Sequence, residues 1–112
     1  MKTFISILML LACGAVAAQP APKLNERLLR AALEDSLKDA DSAKFKNIRY
    51  KPSEVGLWKM CGQVNAKNGY GAYSGFERFI GFAIKNQGEP LQYLVLSIGE
   101  AAESLCAKDG LN

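Results

Sequence analysis

Within these 112 residues, the groups best suited to chemistry or recognition fall in one segment, Cys61 to Ile80 (CGQVNAKNGYGAYSGFERFI). It presents Asn65, Lys67, Asn68, Tyr70, Tyr73, Ser74 and Arg78 around Gly69, Gly71 and Gly75. Glycines let backbone approach a ligand, and tyrosines give rigid amphipathic contact area at low entropic cost. Arg78 adds a planar fork suited to a carboxylate or phosphate. The same residues also fit a plain hairpin loop, with glycines at positive φ and tyrosines covering a sheet edge. Neither GxxxxGK[ST] nor the GxGxxG spacing occurs, so the segment is not a phosphate loop of either kind.

Catalytic alternatives are few. The chain has no histidine, which removes Ser-His-Asp triads, Cys-His pairs and HExxH zinc sites. Glu100 and Glu103 share a helix face, but their place at a helix N-terminus already accounts for them. Glu77 sits beside the loop, where a cross-strand lysine pair would explain it. Trp58 and the set Phe76, Phe79 and Phe82 read as core. No catalytic residue, metal site or cofactor is expected.

The three cysteines divide by position. Lys2, the apolar run Phe4 to Leu11 and the small residues Ala15-Val16-Ala17-Ala18 have the layout of a cleaved export signal over residues 1–18. The apolar stretch is about 15 residues, short of the roughly 20 that a spanning helix needs. Leu10-Leu11-Ala12-Cys13-Gly14 also meets the loose pattern of a lipoprotein signal, so a lipid anchor at Cys13 is the alternative to soluble export. An uncleaved membrane anchor is the third reading. In an oxidising compartment Cys61 and Cys106 are expected to pair. A free catalytic thiol is the rival reading, and no histidine is present to activate it.

Residues 19–23 form an extended spacer, and 24–112 one domain. Leu24, Leu28, Leu29, Leu33 and Leu37 predict an amphipathic helix to about Lys38, supported by Glu26–Arg30 and Glu34–Lys38 pairs. Asp39 and Asp41 end it, and Asp41 or Ser42 caps a short turn before Phe45. Strands are expected at Lys46–Tyr50, closed by Pro52, and at Leu57–Asn65, Phe76–Ile84 and Leu91–Leu96, with a turn at Asn86–Glu89. Ser97 and Glu100 have the capping-box spacing for a helix to Ala107, stopped by Gly110. Simple alternation turns Cys61 away from Trp58. Either a bulge at Gly62 reverses the facing, or the disulfide lies on the sheet's second face. The class is α+β: an N-terminal helix, three or four antiparallel strands, and a short C-terminal helix stapled by one disulfide.

The run Asp39-Ala40-Asp41-Ser42-Ala43-Lys44-Phe45, followed by Cys61 to Asn68 (CGQVNAKN) and then Gly71, Tyr73, Gly75 and Phe76, resembles a group of small exported bacterial proteins, some of them prophage-borne. That group often shows a DPxSAxF turn and then CGxVNAKNxxGxYxGF. The resemblance spans about 40 residues and implies a compartment and a shape rather than an activity. Ala40 stands where proline is common. Gln63 stands where glutamate is common, which puts an acidic catalytic role there in doubt.

The net charge of +3 falls to +2 without Lys2 (13 basic minus 11 acidic residues). Along the chain the charges are interspersed, with no basic stripe or acidic tail. Nucleic acid is not an expected partner. The expectation is a periplasmic or secreted, non-enzymatic binding module that meets another envelope or exported protein through Asn65, Lys67, Asn68, Tyr70, Tyr73 and Arg78. An inhibitor or immunity-type protein is one form of it. A small-ligand carrier or envelope hydrolase using the same loop is the alternative, as is a lipid-anchored structural protein of the envelope.

Overall fold

A computed structural model describes residues 20–112. Residues 1–19, on which the expected export signal and Cys13 fall, lie outside the described residues. The elements run α1 (Glu26–Ala32), β1 (Asp39–Glu54), β2 (Leu57–Lys67), β3 (Glu77–Ile84), β4 (Gln92–Ile98) and α2 (Glu100–Lys108). The strands form one antiparallel meander in the order β1-β2-β3-β4. The fold is thus the α+β arrangement expected, with four strands. Among the described residues no helix is long and apolar enough to cross a membrane.

The leucine stripe outruns its helix. Asn25 caps α1, its Oδ1 accepting from the Leu28 N–H at 3.1 Å. The helix stops at Ala32, and Leu33 to Leu37 is carried by turns, not by a helix to Lys38. Glu34 and Asp35 would lie at the negative end of a longer helix, which disfavours extension. Leu29 and Leu33 are fully buried and Leu37 packs on the same cluster, whereas Leu24 is exposed, so the stripe is core from Leu29 onward and not at its start.

Strand β1 is longer than expected, running 16 residues through Pro52 to Glu54. It is an edge strand, where a residue without an N–H breaks no ladder. At its start Asp39 accepts from Ser42, at Oδ1 from the N–H and at the carbonyl from Oγ. That local turn falls within the strand and caps no separate element. The expected capping box also fails. Ser97 belongs to β4, and the N-cap of α2 is Gly99, which has φ 106° and offers no side-chain cap. At the other end of α2, Gly110 closes the helix as expected, with φ 69° and its N–H on Ala107 O.

The two helices cover opposite faces of the sheet. On the first face, Leu29 and Leu33 meet Ala43, Met60, Val64 and Phe79. Phe45 packs edge-on to Phe79 at 6.2 Å, and Ile48, Tyr50, Tyr93 and Val95 complete the layer. On the second face, Ala102, Cys106 and Leu111 lie over Cys61 and Ile80. The Cys61–Cys106 disulfide joins them, with Cα atoms 6.0 Å apart. Pairing of β2 with β3 runs without a shift from Leu57↔Ile84 to Val64↔Glu77. Gly62 therefore does not reverse the facing, and Cys61 sits on the second face by ordinary alternation. Gly62 is required for a different reason: a Cβ there would come within 2.9 Å of the Phe79 ring and collide with Ile48.

Candidate functional site

The β2–β3 connection is built around two asparagines. Asn68 Oδ1 accepts from the N–H groups of Tyr70 (2.9 Å) and Ala72 (3.3 Å). Its backbone N–H donates to Ala72 O, and its carbonyl accepts from Gly71 N–H. Gly71, at φ 77°, makes the reversal that this closed turn needs. Asn65 Oδ1 accepts from Gly75 N–H at 3.1 Å and ties down the return limb. Both carboxamide oxygens are spent on the loop itself. What they hold out is Tyr70, 96% exposed.

Tyr73 and Lys67 face each other across a single bridge. Tyr73 Oη donates to Ser42 O at 2.9 Å, and Lys67 N–H donates to Ser42 Oγ at 2.8 Å. Ser42 thus pins the base of the loop to β1, a role that capping logic did not anticipate. Lys44 Nζ lies 4.5 Å from the Tyr73 ring centre, and Lys67 Nζ lies 5.8 Å from it. Lys46 Nζ lies 4.0 Å from the Phe76 ring centre.

Arg78 is placed apart from the tip. It stands opposite Gln63 in β3, and its carbonyl accepts the Gly99 N–H at 2.8 Å. Arg78 lines a pocket of about 270 Å³ with Gln63, Phe76, Glu77, Gly99, Glu100 and Glu103. Arg78 Nε is buried there without a hydrogen-bond partner. Of the six residues expected to form one site, the fold brings Asn65, Lys67, Asn68, Tyr70 and Tyr73 together. It sets Arg78 against the start of α2.

Tyr50, under β1 on the first face, has a hydroxyl with no hydrogen bond of standard geometry. Desolvation drives its pKa well above the usual phenol value, and the neighbouring Tyr93 hydroxyl adds to the shift. Among the described residues no cluster of three or more His, Cys, Asp or Glu is arranged to hold a metal ion.

The comparisons add no relative: no protein-family model, curated protein or solved structure matches the chain.

Proposed function

We propose that the chain is an exported, non-enzymatic binding module of the bacterial envelope that meets a protein partner through the loop between β2 and β3. The observation that carries this reading is the tip itself. A large aromatic side chain stands 96% exposed on a backbone closed by four hydrogen bonds to Asn68. An exposed tyrosine on a mobile loop would lose entropy on binding, whereas one on a pre-formed turn loses little. Asn65, Lys67 and Tyr73 shape and support that tip, and Tyr70 makes the contact. Arg78 flanks it. An inhibitor or immunity-type protein, which needs a small rigid protrusion and no catalytic group, fits this arrangement. The resemblance to small exported proteins and the leader-like residues 1–18 supply the compartment.

The pocket beside Arg78 supports the small-ligand alternative less well. At about 270 Å³ it falls below the usual ligand-site range of about 300–1,000 Å³.

The test is capture by crosslinking from the intact envelope of the native host, comparing wild type with Tyr70→Ala. Tyr70 makes no side-chain bond in the fold, so the variant is expected to fold as wild type does. A partner held by wild type and lost by Tyr70→Ala supports the proposal. A partner held equally by both contradicts it.

A further inference from the structure

Cations that are interspersed along the sequence become a row in the fold. Lys44 and Lys46 stand opposite Asn65 and Gln63, and Arg49 and Lys51 stand opposite Cys61 and Lys59. Directly paired residues share a sheet face, so all four cations lie on the second face with Cys61. Strict alternation would split them, because 44 and 46 differ in parity from 49 and 51. The bulge in β1 between Lys46 and Arg49 reunites them. Asn47 makes it, with φ 55° and its Nδ2 donating to Gln63 Oε1 at 2.8 Å. All four cations are exposed. The ion pairs among the described residues are Arg30–Glu26 and Lys59–Asp109, so none of the four has a carboxylate partner. On this face α2 packs over β3 and β4, which leaves the row uncovered.

We propose that this face docks on an anionic phospholipid surface, with Lys44, Lys46, Arg49 and Lys51 against the headgroup phosphates. The inference goes beyond the loop reading and rests on different residues. Charge complementarity names an anionic partner, and the residue types narrow it. Three of the four cations are lysines, point charges on flexible stems, which suit a diffuse anionic surface better than one fixed bidentate pair. Tyr73 and Phe76 lie among them, 39% and 37% exposed, as amphipathic or apolar rings do at headgroup depth. A single-stranded nucleic acid would need open ring faces for its bases to stack on. Here Lys44 and Lys46 occupy them. Charge on an edge strand also deters edge-to-edge pairing, but that purpose does not require gathering every cation onto one face.

The experiment is flotation of the full, disulfide-bonded protein with vesicles of pure phosphatidylcholine or of phosphatidylcholine with 30% phosphatidylglycerol, at low and high salt. Any binding by the apolar residues near the N-terminus is common to both lipids. The proposal expects binding at least about tenfold tighter to the anionic vesicles, lost at high salt. It expects about fivefold weakening for each of Lys44→Gln, Lys46→Gln, Arg49→Gln and Lys51→Gln. Lys85→Gln and Lys108→Gln, elsewhere on the surface, are expected to keep full binding. Equal binding to both lipids overturns the proposal. So does equal weakening by the Lys85 and Lys108 variants, which would reduce the effect to net charge. Tighter binding to a single-stranded oligonucleotide than to the anionic vesicles would assign the face to nucleic acid instead.

Discussion

Asn68 shows how one side chain can prepare a surface without touching a partner. Its Oδ1 takes two N–H groups that would otherwise face solvent or each other, and this fixes where Tyr70 points. Asn68→Ala is expected to cost about 1 kcal/mol and to speed amide exchange at Tyr70 and Ala72 while leaving the sheet protected. Hydrogen exchange followed residue by residue checks both parts. Tyr50 gives a second prediction at this scale. Its phenol is held protonated in the fold by desolvation, while in the unfolded chain it ionises near pH 10. Its pKa is raised on folding, so the stability it contributes is complete below about pH 10. That contribution is lost as pH rises further, because the unfolded state then gives up its proton first. Tyr50→Phe is expected to flatten this alkaline loss. At neutral pH it should change stability by no more than about 1 kcal/mol, since the hydroxyl it removes has no standard hydrogen bond. Urea unfolding between pH 8 and pH 11 measures both effects.

Among the elements, β1 decides most. Its first half reads as a loop and short turn in sequence because Asp39, Asp41 and Ser42 are turn formers, yet the edge of a sheet accommodates them through the Asp39–Ser42 bonds. Its row of cations was illegible because the alternation on which strand reading rests changes phase at Asn47. A lone Asn between strand-like residues is the one mark of that change, and it does not by itself specify a bulge. Leu57 to Asn65 and Phe76 to Ile84, by contrast, were readable to within two residues at each end. They form the central pair, both faces are covered, and their alternation is unbroken. Leu29, Leu33 and Leu37 were legible as core but helix length was not, since turns seat Leu33 and Leu37 against the same cluster. The loop was legible as a cluster, but the self-satisfaction of Asn65 and Asn68 was not, because hydrogen-bond partners do not follow from residue type. Two substitutions test the element account. Asn47→Val, a β-branched residue forced to φ 55°, is expected to destabilise by about 2 kcal/mol, and Asn47→Gly by less. Gly81→Ala would drive a Cβ into the Leu94 carbonyl, and overpacking against backbone is expected to cost about 2–3 kcal/mol. Denaturant midpoints at constant slope would read these directly.

For the molecule as a whole, one sheet separates two small cores, each under a single short helix, and the disulfide ties the second core together. That pairing was readable from cysteine position, once Cys13 was assigned to the leader-like segment and the other two cysteines to an oxidising compartment. Which face it used was not, because alternation and a bulge at Gly62 were equally consistent with the sequence. The bond closes 45 residues, for which loop-closure entropy predicts about 4 kcal/mol. Total stability for a domain of this kind is about 5–15 kcal/mol. Urea unfolding of the Cys61→Ala/Cys106→Ala variant is therefore expected to show a loss near that figure, with α2 the first element to lose exchange protection. The same rigidity is what lets a small protein present Tyr70 as a fixed protrusion. The most direct test of that role is to place a photo-crosslinking amino acid at Tyr70, and in a second variant at Gln87 in the β3–β4 turn, and irradiate living host cells. Binding through the tip predicts a discrete protein adduct at position 70 and none at position 87. The same adduct at both positions, or an adduct at 87 alone, would contradict it.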